Sequence, residues 1–193
     1  MSTPTAMPQT LAVELIPEPV WGSNLRSLSP DIWQIVRARA REQATRCAFC
    51  DGPPAHCHEA WEYEEHDAQD GTQVLGAVVM ICEPCHEVIH LGRTEKVLGP
   101  DAFARALAHL GTVNGWTAEQ VEAHVAEAQR TWERRSTMRW GLDLAPVVEQ
   151  YGLSSDDLRG WPVSMNAIVR HESTGAGLPP GTVGPCGIGR VRP

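Results

Sequence analysis

The residues of this 193-residue chain best able to do chemistry are its six cysteines and eight histidines, and most of them fall between Cys47 and His90. Two Cys-x-x-Cys pairs, Cys47/Cys50 and Cys82/Cys85, are separated by 31 residues. Two thiolates at that spacing grip one edge of an ion and a second pair completes a tetrahedron, the closed four-sulfur set of structural zinc. His86 follows Cys85 directly and His90 comes four residues later. On a helix such positions share a face, so both imidazoles can meet one ion. Upstream, His56, Cys57 and His58 lie on a candidate strand. Alternation puts His56 and His58 on one face and Cys57 on the other, unless the strand is bent.

The elements that must position these groups are legible from local signals. Ser29-Pro30-Asp31 starts a helix running to about Thr45, with a hydroxyl cap, proline in the first turn and an acid at the positive end of the dipole. Ile32, Trp33, Ile35 and Val36 give it an apolar side. A short strand near His56–Trp61 is followed by an acidic loop from Glu62 to Gly71. The apolar run from Val74 to Ile81 then reads as a buried strand, and Glu83–Leu91 as a short helix stopped by Gly92. Pro100 opens another helix over Asp101–Leu110. The capping box Thr117-Ala118-Glu119-Gln120 starts a long helix to about Arg135, with Val121, His124, Val125, Ala128 and Trp132 on one face. A last helical piece spans Leu144–Tyr151. These elements divide the chain into an extended arm (1–29), a zinc finger domain (30–95), a helical extension (96–160) and a Pro/Gly-rich tail (161–193) expected to be disordered.

Composition sets outer limits. No apolar stretch approaches the roughly 18 residues that cross a bilayer, and the first ten residues lack a signal peptide's pattern. The expectation is a cytoplasmic protein with no membrane partner, in a compartment where paired cysteines hold metal rather than form disulfides. The net charge of -8 argues against a protein that simply coats nucleic acid. Local arginines can still make a phosphate site, and Arg134, Arg135 and Arg139 are the candidates, with helix-dipole complements as their ordinary alternative.

The order Cys-x-x-Cys, a strand doublet ending in His, a second strand, then Cys-x-x-Cys-His-x-x-x-His resembles the HNH, or His-Me finger, endonucleases over residues 47–90. The flanks, VWGSNLRSLSPDIW and the helices after Pro100, resemble those of HNH-like proteins of bacteria and phages. The resemblance implies an α+β fold: a zinc-stapled ββα-metal finger with a preceding helix and a C-terminal helical extension. It implies a bacterial or phage-encoded enzyme that hydrolyses phosphodiester bonds in DNA. His58 would be the general base that activates water. Cys57, His86 and His90 would hold a second divalent ion (Zn²⁺, Mg²⁺, Mn²⁺ or Ni²⁺) beside the Zn²⁺ of Cys47, Cys50, Cys82 and Cys85. Two departures support an alternative, a non-catalytic zinc module for a protein or nucleic-acid partner. Cys57 is a soft donor where oxygen or nitrogen is usual. The asparagine that orients the base is absent, Gln73 being the only amide of GTQVLGAVVMI.

Overall fold

The computed structural model describes residues 10–154, Asp157 and residues 169–170. It is a mixed α+β structure built on one small sheet. An extended N-terminal segment leads into a 3₁₀ turn (Glu18–Val20), a short helix α1 (Leu25–Leu28) and helix α2 (Pro30–Gln43). Strands β1 (His56–Glu65) and β2 (Asp70–Ile81) form an antiparallel hairpin. Helix α3 (Glu83–Ile89), a turn α4 (Leu91–Arg93) and a π-helical turn (Thr94–Leu98) follow. Then come α5 (Pro100–Asn114), α6 (Ala118–Arg135), β3 (Arg139–Asp143), α7 (Ala145–Gln150) and the two-residue β4 (Val169–Arg170). The sheet order is β1-β2-β3-β4, with β3 parallel to β2.

The stretch expected to be an acidic loop is mostly strand. Glu62, Tyr63, Glu64 and Glu65 pair with Val74, Gln73, Thr72 and Gly71. The physical signal is a period of two: Trp61 and Tyr63 are half-buried while Glu62 and Glu64 are exposed. One register shift, between Ala60 and Trp61, leaves Gly76 unopposed and bends the hairpin. Strand β3 had no counterpart in the expected elements. It begins at Arg139, which therefore lies at the start of a strand, paired with Asp70, and not at a helix end. The tail expected from residue 161 lies outside the described residues except for Val169–Arg170, which pair antiparallel with Leu142 and Gly141.

Each sheet face carries its own core. Ala77, Val79 and Ile81 join Leu11, Val13, Cys47, Cys82, Cys85, Val88, Ile89, Ala106, Leu110 and Val121 on one side. Leu75 and Val78 join Ile32, Trp33, Val36, Leu142, Val147 and Tyr151 on the other. The cysteine cluster and helices α5 and α6 thus share one core, so the expected division at residue 95 does not coincide with a boundary in the packing. Among the described residues no helix is long and apolar enough to cross a membrane.

Candidate metal centres

The first centre is made by two backbone turns. In the knuckle Cys47–Gly52, the Cys47 amide donates to the Gly52 carbonyl (2.8 Å), and Asp51 takes a left-handed φ of 58°, a conformation that aspartate tolerates better than most residues. The Ala48 amide bonds to the Met80 carbonyl at 3.0 Å, fixing the knuckle beside the end of β2. Cys82 is the N-cap of α3, with Glu83 and Pro84 in the first turn, so Cys85 faces back toward it. The sulfurs of Cys47, Cys50, Cys82 and Cys85 all lie within 4.8 Å of one another, with Cys50 and Cys82 at 3.4 Å. This cluster could hold a metal ion such as zinc. Burial pushes the Cys82 and Cys85 thiols up, reinforced by the neighbouring sulfurs. Burial also opposes ionisation of Cys47, but hydrogen bonds from the backbone around the site outweigh it. Four adjacent sulfurs, three of them buried, could ionise together only with a cation among them, and binding one would couple metal loading to folding. The His109 imidazole on α5 lies 3.2 Å from the Cys85 sulfur and tethers that helix to the cluster.

The second cluster lies at the junction of β1 and α3. His86 sits one turn into α3 and His90 caps its C-terminus, while His58 comes from β1. One ring nitrogen from each lies within 4.8 Å of the others. Ring centroids are 4.6 Å apart for His86 and His90 and 5.1 Å for His58 and His90. His56, on the same strand face as His58, stacks on His86 at 4.5 Å and 9°. Burial, then repulsion from His58, lowers His86 to about 4 and His90 to about 3, so both are neutral with free lone pairs at pH 7. His58 is 5% exposed, and its Nε2 is buried without a hydrogen-bond partner. A buried polar atom left unpaired is costly, and an ion that accepts imidazole nitrogen would satisfy it. The trio could therefore hold a metal ion.

A cleft of about 480 Å³ opens over this trio, lined among others by Glu14, Arg26, Trp61 and Arg135. Glu14 comes from the N-terminal arm, and its Oε2 lies 3.4 Å from His58 Nε2. Glu59, beside His58, is buried for a different purpose. Its carboxylate accepts the Leu25 and Arg26 amides at the start of α1, and burial holds its pKa above the ordinary carboxylate value.

Several expected site residues stand elsewhere. Cys57 is not brought to the histidines: it packs with the core of Ile32, Trp33 and Leu142, on the opposite side of the sheet. The bulge that bends β1 falls at Ala60/Trp61, after Cys57 and His58, so strict alternation still separates these two. Arg134 and Arg135 both bind the Glu65 carboxylate, and Arg139 makes a two-pronged bond to Asp70 (2.8 and 2.7 Å). Arg135 also covers the Tyr63 ring at 4.8 Å. These arginines are committed to acids of the hairpin rather than forming a free basic patch. Glu14 is the residue that sequence reading missed. Its signal is the alternation Leu11-x-Val13-x-Leu15, all three buried, which turns Glu14 away from that core. No protein-family model, curated protein or solved structure matches the chain.

Proposed function

We propose that the protein is a metal-dependent endonuclease that hydrolyses phosphodiester bonds in DNA, with the hairpin β1–β2 and helix α3 acting as a ββα-metal unit. The observation that carries this reading is the convergence of His58, His86 and His90 at the floor of a cleft. In this reading Cys47, Cys50, Cys82 and Cys85 hold a structural zinc that fixes the start of α3, and through it His86 and His90. A divalent ion held by the trio would clamp a phosphate oxygen and bring the pKa of water to near 7. In this reading His58 belongs with the ligands more than with the proton acceptors, because its Nε2 is sealed from solvent and one of its ring nitrogens lies within 4.8 Å of those of His86 and His90. On the same reading Arg26 is the cleft cation that would receive a phosphate oxygen, and Trp61 would offer a face to a base or sugar.

The commitment of Arg134, Arg135 and Arg139 to Glu65 and Asp70 favours the second reading, a non-catalytic zinc module. Plasmid relaxation with Mg²⁺, Mn²⁺, Zn²⁺ and Ni²⁺ decides between them. The endonuclease reading expects nicking by the wild type, and loss of about 10²-fold or more in His58→Ala and His90→Ala together with loss of one bound ion. An His58→Ala protein that keeps the ion but loses cleavage would return His58 to the role of base. A wild type that leaves every plasmid intact would make the chain a non-catalytic module.

A further inference from the structure

We infer that Glu14, carried in from the N-terminal arm, is the carboxylate ligand of the histidine centre, so that the site is a His₃–Glu set and not the Cys/His/His set expected from the sequence. The inference rests on the reading that His58, His86 and His90 bind a divalent ion. It does not depend on that ion cutting DNA.

The first support is how firmly the arm is placed. Asn114 on α5 clamps the Leu11 backbone from both sides, accepting from its amide at 3.0 Å and donating to its carbonyl at 2.8 Å. The Val13 amide donates to His124 Nε2 at 3.0 Å, and the Trp132 indole donates to the Ile16 carbonyl at 3.0 Å. Between them the Glu14 amide donates to the carbonyl of Ile89 at 2.9 Å, the residue before His90. Leu11, Val13 and Leu15 are buried below. Glu14 is thus tied by its backbone to the end of the helix that bears His86 and His90, while its side chain faces the histidine of β1.

The second support is the contact itself. Two donors each about 2.0–2.1 Å from a tetrahedral ion are about 3.3–3.4 Å apart. Glu14 Oε2 stands 3.4 Å from His58 Nε2, a nitrogen with no hydrogen-bond partner and no solvent. As it stands the carboxylate is at ion-pair distance from His58 and lies outside the 4.8 Å group formed by His58, His86 and His90. Its side chain is 35% exposed and lines the cleft, and the inference requires it to turn toward His86 and His90 when an ion binds. Cys57, the alternative donor, lines the same cleft but packs against the Ile32, Trp33 and Leu142 core and is not part of the histidine group.

The chemistry of the donors follows. One carboxylate oxygen added to three imidazoles hardens the site and lowers its net charge by one. Ions that take five or six ligands would keep positions for water and a phosphate oxygen. The arm then becomes a wall of the centre, and ion binding should fix the arm as well as the helix.

The test is Co²⁺ titration of full-length protein already carrying one equivalent of zinc, followed by visible absorption, without DNA. The wild type is expected to take up one Co²⁺. Glu14→Gln and Glu14→Ala should each bind it about tenfold more weakly or worse, with the melting temperature of the zinc-loaded protein nearly unchanged and a changed d–d spectrum. His90→Ala should bind none at the same concentrations. If both Glu14 variants bind Co²⁺ within twofold of the wild type with the same spectrum, Glu14 is only an ion-pair partner of His58 and the inference is overturned. If the wild type itself takes up no Co²⁺, the histidine centre fails and Glu14 with it. Failure of plasmid cleavage with intact, Glu14-dependent Co²⁺ binding would instead sink the endonuclease reading alone.

Discussion

At the scale of single residues, the chemistry depends on groups that must stay neutral while buried. His124 shows the same physics away from the candidate metal centres. Its Nε2 accepts the Val13 amide, which requires the neutral ring, and burial lowers its pKa below the ordinary histidine value. The unfolded chain therefore binds a proton more readily than the folded one, and stability falls as pH drops from about 6.5 toward the lowered value. His124→Gln keeps an acceptor that does not titrate. Thermal melting between pH 7.5 and 5 should show a smaller loss for the variant than for the wild type, and equal losses would refute the role given to His124. The cysteine tetrad and the pairing of His86 with His90 were legible in the sequence because metal spacing is local: two turns and one helix face fix them. The contact of Glu14 with His58 and the packing of Cys57 into the other core were not, since both depend on how an arm and a sheet pack across long sequence distances.

At the scale of elements, the hairpin is the part that brings His58 to α3, and its far end is locked by β3. Gly71 pairs with Trp140, and the indole occupies the space a side chain would need. A Cβ at residue 71 would lie 2.4 Å from Trp140 Cζ3 and 2.7 Å from the Glu64 carbonyl. Gly71→Ala should destabilise the protein by about 1–3 kcal/mol, as overpacking of a rigid neighbour does, measured by urea unfolding. A change below about 0.5 kcal/mol would mean that β3 docks more loosely than this. Helices α2 and α5 were readable from the prolines of their first turns, Pro30 and Pro100, although the expected Ser29 hydroxyl cap makes no hydrogen bond. Helix α6 was readable from the capping box at Thr117, which forms both of its hydrogen bonds. Strand β3 was not: five residues in parallel pairing carry too little pattern to stand out, and their partner lies some seventy residues earlier in the chain, from Asp70 to Val74.

At the scale of the whole molecule, the net charge of -8 and the pairing of Arg134, Arg135 and Arg139 leave little general attraction for a polyanion. Under the endonuclease reading, any hold on DNA must then come from the cleft, through Arg26 and a bound ion, and should be short-range and of modest salt dependence. Both candidate centres also draw on one packed body. The cysteines share a core with α5 and α6, while the histidines are reached by an arm fastened to those same helices. The idea that two ions serve this body, one held by thiolates and one by imidazoles, is tested most directly by counting them. Native mass spectrometry of protein loaded with zinc should give two ions per chain for the wild type and one for His86→Ala/His90→Ala. Cys47→Ser/Cys82→Ser should lose the thiolate-bound ion and cooperative melting with it. A wild type that carries a single ion, still present in the double histidine variant, would contradict the histidine centre and the hydrolytic reading built on it.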